Sequence, residues 1–196
     1  MNSLNISPHL LSQEWELMVD EVHPGIFQIP CFSGNTCDHL IQCLDESRFL
    51  TDRHQTAPTT DILLKDVSLD LYEEYTEFLR KYIHPMALYC LSFVPGVVCK
   101  ETFSDHSFIA KYTPETQGHL KLHTDGDHVM YTINILLSDN FEGGGTFFVG
   151  DQKFHGKLIQ PNKGDLLMHP GNRKYQHGSR PVTSGTRYIL VSFITF

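Results

Sequence analysis

The sequence predicts a mainly β domain, a sandwich or jelly roll with a few helices packed on one sheet. Three observations carry that expectation. After Cys99 the chain breaks into short apolar or alternating runs separated by Gly, Pro, Asp and Asn, the texture of antiparallel strands joined by tight turns. Before it, two stretches space their apolar residues as helices do. A chain of 196 residues, 40% hydrophobic and 19% charged, is of a size to build one substantial core.

The elements follow in order. Residues 1–24 are polar, with Leu10, Leu11, Trp15 and Met18 able to form one face of a short helix, and are expected to be an entry arm. Residues 25–196 are the expected domain. Gly25 to Phe32 predicts a strand. Ser33 to Ser47 predicts a helix, with Leu40, Ile41 and Leu44 at helical spacing behind Ser, Asn and Thr cap candidates. The polar stretch Thr51–Thr60 contains Pro58 and predicts a loop. A short strand is expected over Asp61–Val67. A core-facing helix from Leu69 to about Ile83 presents Leu71, Tyr72, Tyr75, Phe78, Leu79 and Tyr82 on one side and continues past Pro85. Further strands are expected at 107–113, 119–123, 129–138, 145–149, 153–159, 165–169, 176–181 and 186–196.

Composition excludes several classes. A formal net charge of −8 without Lys/Arg clusters disfavours nucleic-acid binding, which draws affinity from clustered basic residues. It favours, weakly, a basic substrate. The five cysteines lack the paired short spacing of a zinc site and are expected to be buried free thiols. No run is long and apolar enough for a membrane span. The start of the chain lacks the basic and apolar pattern of a signal peptide, which gives the expectation of a cytoplasmic protein, or a secretory lumen if the chain is a domain of a longer one. The number of subunits is left open.

The informative constellation is His123-Thr124-Asp125 at the end of an expected strand, His177 far downstream, and Arg187 ten positions later. With twelve histidines in the chain, one His-x-Asp triplet is expected by accident, and alone it more often marks a structural ion pair. In an extended segment, however, residues two apart share a face, so His123 and Asp125 can reach one ion while a distant strand supplies His177. Two imidazoles and a carboxylate are the donor set of non-haem Fe(II) oxygenases, which keeps adjacent positions open. Arg187 on an inward strand position could then pair with the far carboxylate of a dicarboxylate cosubstrate, and Tyr112 and Asn134 could add hydrogen bonds. His119, His128, His155 and His169 are expected to be structural, with His169-Pro170-Gly171 a turn. Gly143-Gly144-Gly145 lacks the Lys and helix of a phosphate loop and predicts a turn or a close backbone approach. No Gly-x-Ser-x-Gly elbow or convincing Cys-His pairing suggests a hydrolase.

Five stretches carry a family resemblance: Tyr131-Thr132-Ile133-Asn134-Ile135, Phe141-Glu142-Gly143-Gly144-Gly145, Gly164-Asp165-Leu166-Leu167-Met168-His169-Pro170-Gly171, Gly185-Thr186-Arg187-Tyr188-Ile189-Leu190-Val191-Ser192-Phe193 and, upstream, Pro58-Thr59-Thr60-Asp61-Ile62. Together they resemble the catalytic domain of procollagen lysyl hydroxylases, within the prolyl-hydroxylase-like Fe(II)/2-oxoglutarate dioxygenases. The resemblance implies a double-stranded β-helix, the cupin-like jelly roll, over residues 25–196. It implies His123, Asp125 and His177 as iron ligands and Arg187, Tyr112 and Asn134 as residues holding 2-oxoglutarate. Dioxygen as oxidant and ascorbate as rescuing reductant are implied with them. The implied reaction is hydroxylation of a peptidyl, collagen-like lysine. Alternatives are prolyl residues of an intracellular protein, a free amino acid, a cupin-like metalloenzyme without a keto acid, or a silent jelly-roll binding module. The polar segments Thr51–Thr60 and Ser104–His106 are candidate lids.

Overall fold

A computed structural model describes Leu4 and residues 15–51, 53–54, 57–152 and 154–196. The helical face expected around Leu10 and Leu11 lies outside the described residues. The first regular element is a 3-10 turn at Trp15–Leu17, followed by strands β1 (Asp20–His23) and β2 (Ile26–Pro30). β1 pairs antiparallel with β2, so the sheet takes in the end of the expected entry arm.

Helix α1 (Gly34–Gln42) starts where Ser33 accepts a 3.2 Å hydrogen bond from the Thr36 N–H, satisfying one of the unpaired donors of the first turn. β3 (Asp61–Leu63) is shorter than expected, because Leu64–Val67 winds into a single helical turn, α2. Helix α3 (Leu69–Phe78) runs through a π-helical turn at Leu79–Ile83 into α4 (His84–Ser92). The wide turn has an identifiable cause. Pro85 supplies no N–H and would crowd the carbonyl four residues back, and the turn before it opens so that the His84 N–H reaches the Leu79 carbonyl, five residues behind.

The remaining strands are β4 (Ser104–Tyr112), β5 (Leu120–His123), β6 (Val129–Leu136), β7 (Phe141–Gly143), β8 (Thr146–Phe148), β9 (Lys157–Ile159), β10 (Asp165–Pro170), β11 (His177–Ser179), β12 (Val182–Gly185) and β13 (Arg187–Thr195). Seven strands form the larger sheet in the order β1-β2-β10-β6-β13-β4-β3, and four form the facing sheet, β5-β11-β8-β9. Every pairing in them is antiparallel. Neighbours distant in sequence, with strands alternating between two sheets, make this the expected jelly roll. Ser104–His106, expected as a candidate lid, is instead the start of β4.

Strand alternation divides the large sheet between two duties. Ile109, Ile133, Leu166, Leu190 and Ile194 face the helices and pack with Leu40, Tyr75, Phe78, Ile83 and Met86 in the main core. The intervening residues Phe108, Ala110, Tyr112, Ile189 and Val191 face the smaller sheet. Among the cysteines, Cys31, Cys37 and Cys90 are buried, Cys99 is half-buried and Cys43 is exposed, all as free thiols. No helix among the described residues is long and apolar enough to cross a membrane.

Truncating Leu190, fully buried in the central strand β13, is expected to cost roughly 2–5 kcal/mol through lost transfer energy and a residual cavity. Val98→Ala, at a 74% exposed position, is expected to stay within about 0.5 kcal/mol. Urea denaturation of Leu190→Ala and Val98→Ala checks both.

Candidate metal and cosubstrate site

A cavity of about 420 Å³ opens between the two sheets. On its smaller-sheet side, β5 and β11 pair so that His123 stands opposite His177, and their ring centroids lie 4.5 Å apart. Asp125 follows β5 in a turn that Gly126 shapes with a φ of +110° and a backbone bond to the Gly171 carbonyl. Its Oδ1 lies 3.5 Å from His123 Nε2 and 3.8 Å from His177 Nε2. The donor atoms of these three residues all fall within 4.8 Å of one another. The sequence spacing anticipated this grouping; the paired strands produce it.

The hydrogen bonds around the triad fix which atoms face the centre. His123 Nδ1 donates to the Lys121 carbonyl and His177 Nδ1 to the Tyr175 carbonyl, both at 2.9 Å. That leaves each Nε2 directed at the shared space, the arrangement in which a backbone acceptor orients a metal-binding imidazole. Asp125 Oδ2 accepts from the Thr132 hydroxyl at 2.5 Å. Burial pushes the Asp125 carboxyl up, yet the His123 hydrogen bond, the His177 and His169 rings and the Thr132 hydroxyl outweigh it and hold the group well below the usual carboxylate range. Burial and the neighbouring His169 bring His177 down to about 3, although Asp125 opposes them, so its ring is neutral and its lone pair free at neutral pH. Burial acts the same way on His123, but the Asp125 and Lys121 hydrogen bonds reverse it and raise that ring. Two nitrogens and one carboxylate oxygen on one side of a common point fit a divalent iron.

The other end of the cavity holds Arg187, paired in register with Tyr112 across β13 and β4. Arg187 is 2% exposed. Its Nη1 donates to Ser179 Oγ at 2.9 Å, and its guanidinium lies 5.6 Å from the centre of the Tyr112 ring. Among the described residues it has no carboxylate partner. Burial lowers it to about 10, against a smaller upward pull from Tyr112, and burial pushes Tyr112 up to about 12. A buried cation without a counter-charge is costly unless a ligand supplies one. The three glycines explain themselves here. Gly143, Gly144 and Gly145 all have φ between +71° and +86°, and a Cβ on Gly144 would sit 3.0 Å from Arg187 Cδ. Gly144 is a close backbone approach to the arginine, while Gly143 and Gly145 approach Pro181 and Ile159, so the run is not a phosphate loop.

Asn134 lines the cavity from β6, and its Nδ2 lies 3.4 Å from His169 Nε2. His169, expected to close a strand and lead into a turn, is a fully buried member of β10 whose ring meets His177 edge-on at 4.5 Å. It stands outside the donor triad and packs behind it. His128 lies on the cavity rim. Thr132 and Ser179, which hold Asp125 and Arg187, were not singled out in the sequence. Strand alternation was the available signal, since they lie two residues from Asn134 and His177 and so share their faces.

Comparison with known proteins agrees with this geometry. Residues 107–195 match the family model described as the 2OG-Fe(II) oxygenase superfamily. The chain is 34% identical over 193 residues to human procollagen-lysine,2-oxoglutarate 5-dioxygenase 2, an alignment covering 91% of this chain and 25% of that protein. It is 32% identical over 192 residues to bovine procollagen-lysine,2-oxoglutarate 5-dioxygenase 1, covering 90% and 25%. The chain thus spans about a quarter of the length of the curated relatives it matches. Among solved structures, a Trichoplax adhaerens prolyl hydroxylase in complex with a hypoxia inducible factor peptide fragment superposes with a TM-score of 0.66 at 15% identity, over 95% of each chain. The viral collagen prolyl hydroxylase of Paramecium Bursaria Chlorella virus-1 does so with a TM-score of 0.56 at 19% identity, over 87% of this chain and 95% of that one. These likenesses establish the shared jelly-roll fold.

If the triad holds a divalent ion, Mn(II) at about 100 times its Kd is expected to add about 2.7 kcal/mol of stability, or roughly 5–10 °C in Tm for a chain of this size. Thermal unfolding followed by circular dichroism checks this, with His177→Ala and Asp125→Ala expected to lose the shift.

Proposed function

We propose that this chain carries a 2OG-Fe(II) oxygenase domain that hydroxylates an amino-acid side chain, that of a peptidyl lysine in a collagen-like sequence. In this reading His123, Asp125 and His177 hold Fe(II), and Arg187, Tyr112 and Asn134 hold 2-oxoglutarate. Dioxygen is the oxidant and ascorbate the rescuing reductant. The oxygenase unit is residues 25–196, extended on its N-terminal side by β1.

The observation that carries the reading is the pairing of two features in one cavity. One is a donor triad facing a common point; the other is a buried guanidinium without a carboxylate partner among the described residues. A dicarboxylate with a metal-binding keto acid at one end satisfies both at once. When bound, iron and 2-oxoglutarate supply the oxidising chemistry, converting dioxygen and the keto acid to succinate, carbon dioxide and a hydroxylated C–H carbon. The chain's residues do the rest. The Lys121 and Tyr175 carbonyls fix the imidazoles, Thr132 fixes the carboxylate, and the planar fork of Arg187 matches a carboxylate through two parallel hydrogen bonds. The burial of Arg187, beside the Tyr112 ring, keeps bulk water from that pairing, which strengthens it. A structural metal site has no use for such a clamp, which speaks against the silent module. Lysine is favoured over proline because the relatives at 30–34% identity over about 90% of this chain are named as procollagen-lysine dioxygenases or a procollagen lysine hydroxylase.

Succinate formation tests this on anaerobically purified, Fe(II)-loaded protein given 2-oxoglutarate and oxygen. A Lys-Gly collagen-like peptide is expected to stimulate turnover and gain one oxygen atom on its lysine, by mass spectrometry. A prolyl analogue of the peptide is expected to stay unmodified. Arg187→Met is expected to raise KM for 2-oxoglutarate about 100-fold, the loss of a charge-assisted pair of roughly 3 kcal/mol, and His177→Ala to abolish turnover. Turnover equal in wild type and Arg187→Met would contradict the assignment.

A further inference from the structure

His169 is fully buried, yet it neither lines the cavity nor belongs to the donor triad. It lies on β10 directly opposite Thr132 of β6, the residue whose hydroxyl holds Asp125. Its ring meets that of His177 at 4.5 Å and that of Phe148 at 5.1 Å, edge-on in both cases. Burying an imidazole for packing alone is costly, because both ring nitrogens give up water. Each must find a partner inside the protein.

Both nitrogens do, and their partners fix which one carries the hydrogen. Nδ1 lies 3.0 Å from the Pro170 carbonyl oxygen, which can only accept, so Nδ1 is the N–H. The ring has no exposure and, among the described residues, no carboxylate hydrogen-bonded to either nitrogen, so it is neutral. Nε2 is then left with its lone pair and can only accept. The atom facing it is Asn134 Nδ2, at 3.4 Å, which can only donate. Hydrogens therefore pass in one direction, from the Asn134 amide to His169 Nε2 and from His169 Nδ1 to the Pro170 carbonyl.

Asn134, unlike His169, lines the cavity. The amide of asparagine is nearly symmetric in shape, and only its hydrogen-bond partners decide which way round it stands. In the opposite orientation Oδ1 would face the Nε2 lone pair, acceptor against acceptor. Among the described residues the Asn134 side chain has no other hydrogen-bond partner, so His169 alone of them selects the orientation. One N–H of the amide is committed to the ring, and the second is kept on a fixed bearing. The carboxylate and keto oxygens of 2-oxoglutarate can only accept, so they match an N–H and repel an amide oxygen.

We propose that His169 is a positioning residue for the cosubstrate: in the tautomer that the Pro170 carbonyl imposes, it holds the Asn134 amide in the orientation that offers 2-oxoglutarate an N–H. The proposal rests on the reading in which Asn134 holds 2-oxoglutarate, and adds to it the residue that sets the polarity of that contact. His169 itself touches neither the cosubstrate nor the metal. Its place in the His169-Pro170 pair gives the ring a role that packing against His177 does not require, since an apolar ring would pack there without needing two partners.

The test begins with the metal-free wild-type protein, in which long-range proton–nitrogen NMR of 15N-labelled histidine separates the two neutral tautomers and the charged ring. His169 is expected as the Nδ1–H tautomer. An Nε2–H or doubly protonated ring would overturn the proposal, and this readout needs no variant to fold. Calorimetric titration of the Mn(II)-loaded protein with 2-oxoglutarate, without oxygen, follows. His169→Phe, which keeps a planar ring and removes the acceptor, is expected to weaken 2-oxoglutarate about tenfold, while Mn(II) alone binds within threefold of wild type. His169→Gln, whose side-chain carbonyl restores an acceptor, is expected to recover binding to within threefold. In an Asn134→Leu background, His169→Phe is expected to change 2-oxoglutarate affinity less than twofold, since the amide it positions is gone. A loss that persists in full beside Asn134→Leu, a loss that appears equally in Mn(II) binding, His169→Gln no better than His169→Phe, or no loss at all would overturn this inference and leave the oxygenase reading standing. Failure of wild-type protein to bind 2-oxoglutarate would overturn the reading and the inference together.

Discussion

A guanidinium enclosed between two β-sheets, with no protein carboxylate beside it among the described residues, constrains everything around it. Arg187 is 2% exposed, and a charge so placed costs several kcal/mol unless something on the other side of the cavity completes it. The fold tolerates this locally through the Ser179 hydroxyl and the face of Tyr112. Both are weak partners for a full charge, worth about 1–3 kcal/mol at most. The chain therefore stores an unmet electrostatic demand at a fixed distance from a cluster of metal donors. That combination defines the ligand: a second negative group must arrive attached to something the metal can hold.

The jelly roll makes the demand affordable. The face of the large sheet opposite the cavity buries Ile109, Ile133, Leu166 and Leu190 against the helices, and that continuous apolar layer provides the stability that the polar inner face does not. Because side chains alternate, each strand serves both layers. On β13, Leu190 and Ile194 anchor the core while Arg187, Ile189, Val191 and Phe193 line the cavity. On β6, Ile133 and Ile135 do the same beside Thr132 and Asn134. A polar row on the helix side is closed as well, with the Tyr75 and Ser107 hydroxyls both 2.9 Å from Ser192. The site thus rests on strands, while Arg53, His54, Ala57 and Thr59, from the polar stretch before β3, line its outer side.

Much of this was legible in the sequence, and the parts that were not have physical reasons. His123, Asp125 and His177 could be grouped because strand periodicity and antiparallel pairing bring them together, and Arg187 could be placed because only a ligand gives an inward arginine a role. The helix continuing past Pro85 followed from apolar spacing, but its π turn depends on where one carbonyl meets one ring, which no pattern records. Leu64–Val67 read as strand because its residues suit either state, and local winding decided it. His169 read as the end of a strand leading into a turn because His-Pro-Gly is turn-like. Its burial between Asn134 and His177 depends on β10 lying beside β6, a pairing across more than thirty residues. The buried Asp61 carboxylate, which accepts from Arg53 and Thr59, was invisible for the same reason: those partners lie in a polar stretch whose composition predicts exposure.

The central claim is that Arg187 waits for the far carboxylate of a keto acid whose other end meets the triad. The measurement that tests it most directly is calorimetric titration of Mn(II)-loaded protein, without oxygen, with 2-oxoglutarate and with 2-oxobutyrate, which lacks the far carboxylate. The account predicts that 2-oxoglutarate binds at least 100-fold more tightly, and that this preference collapses in Arg187→Met. Equal affinity for the two acids in the wild-type protein, or a preference that survives Arg187→Met, would contradict it.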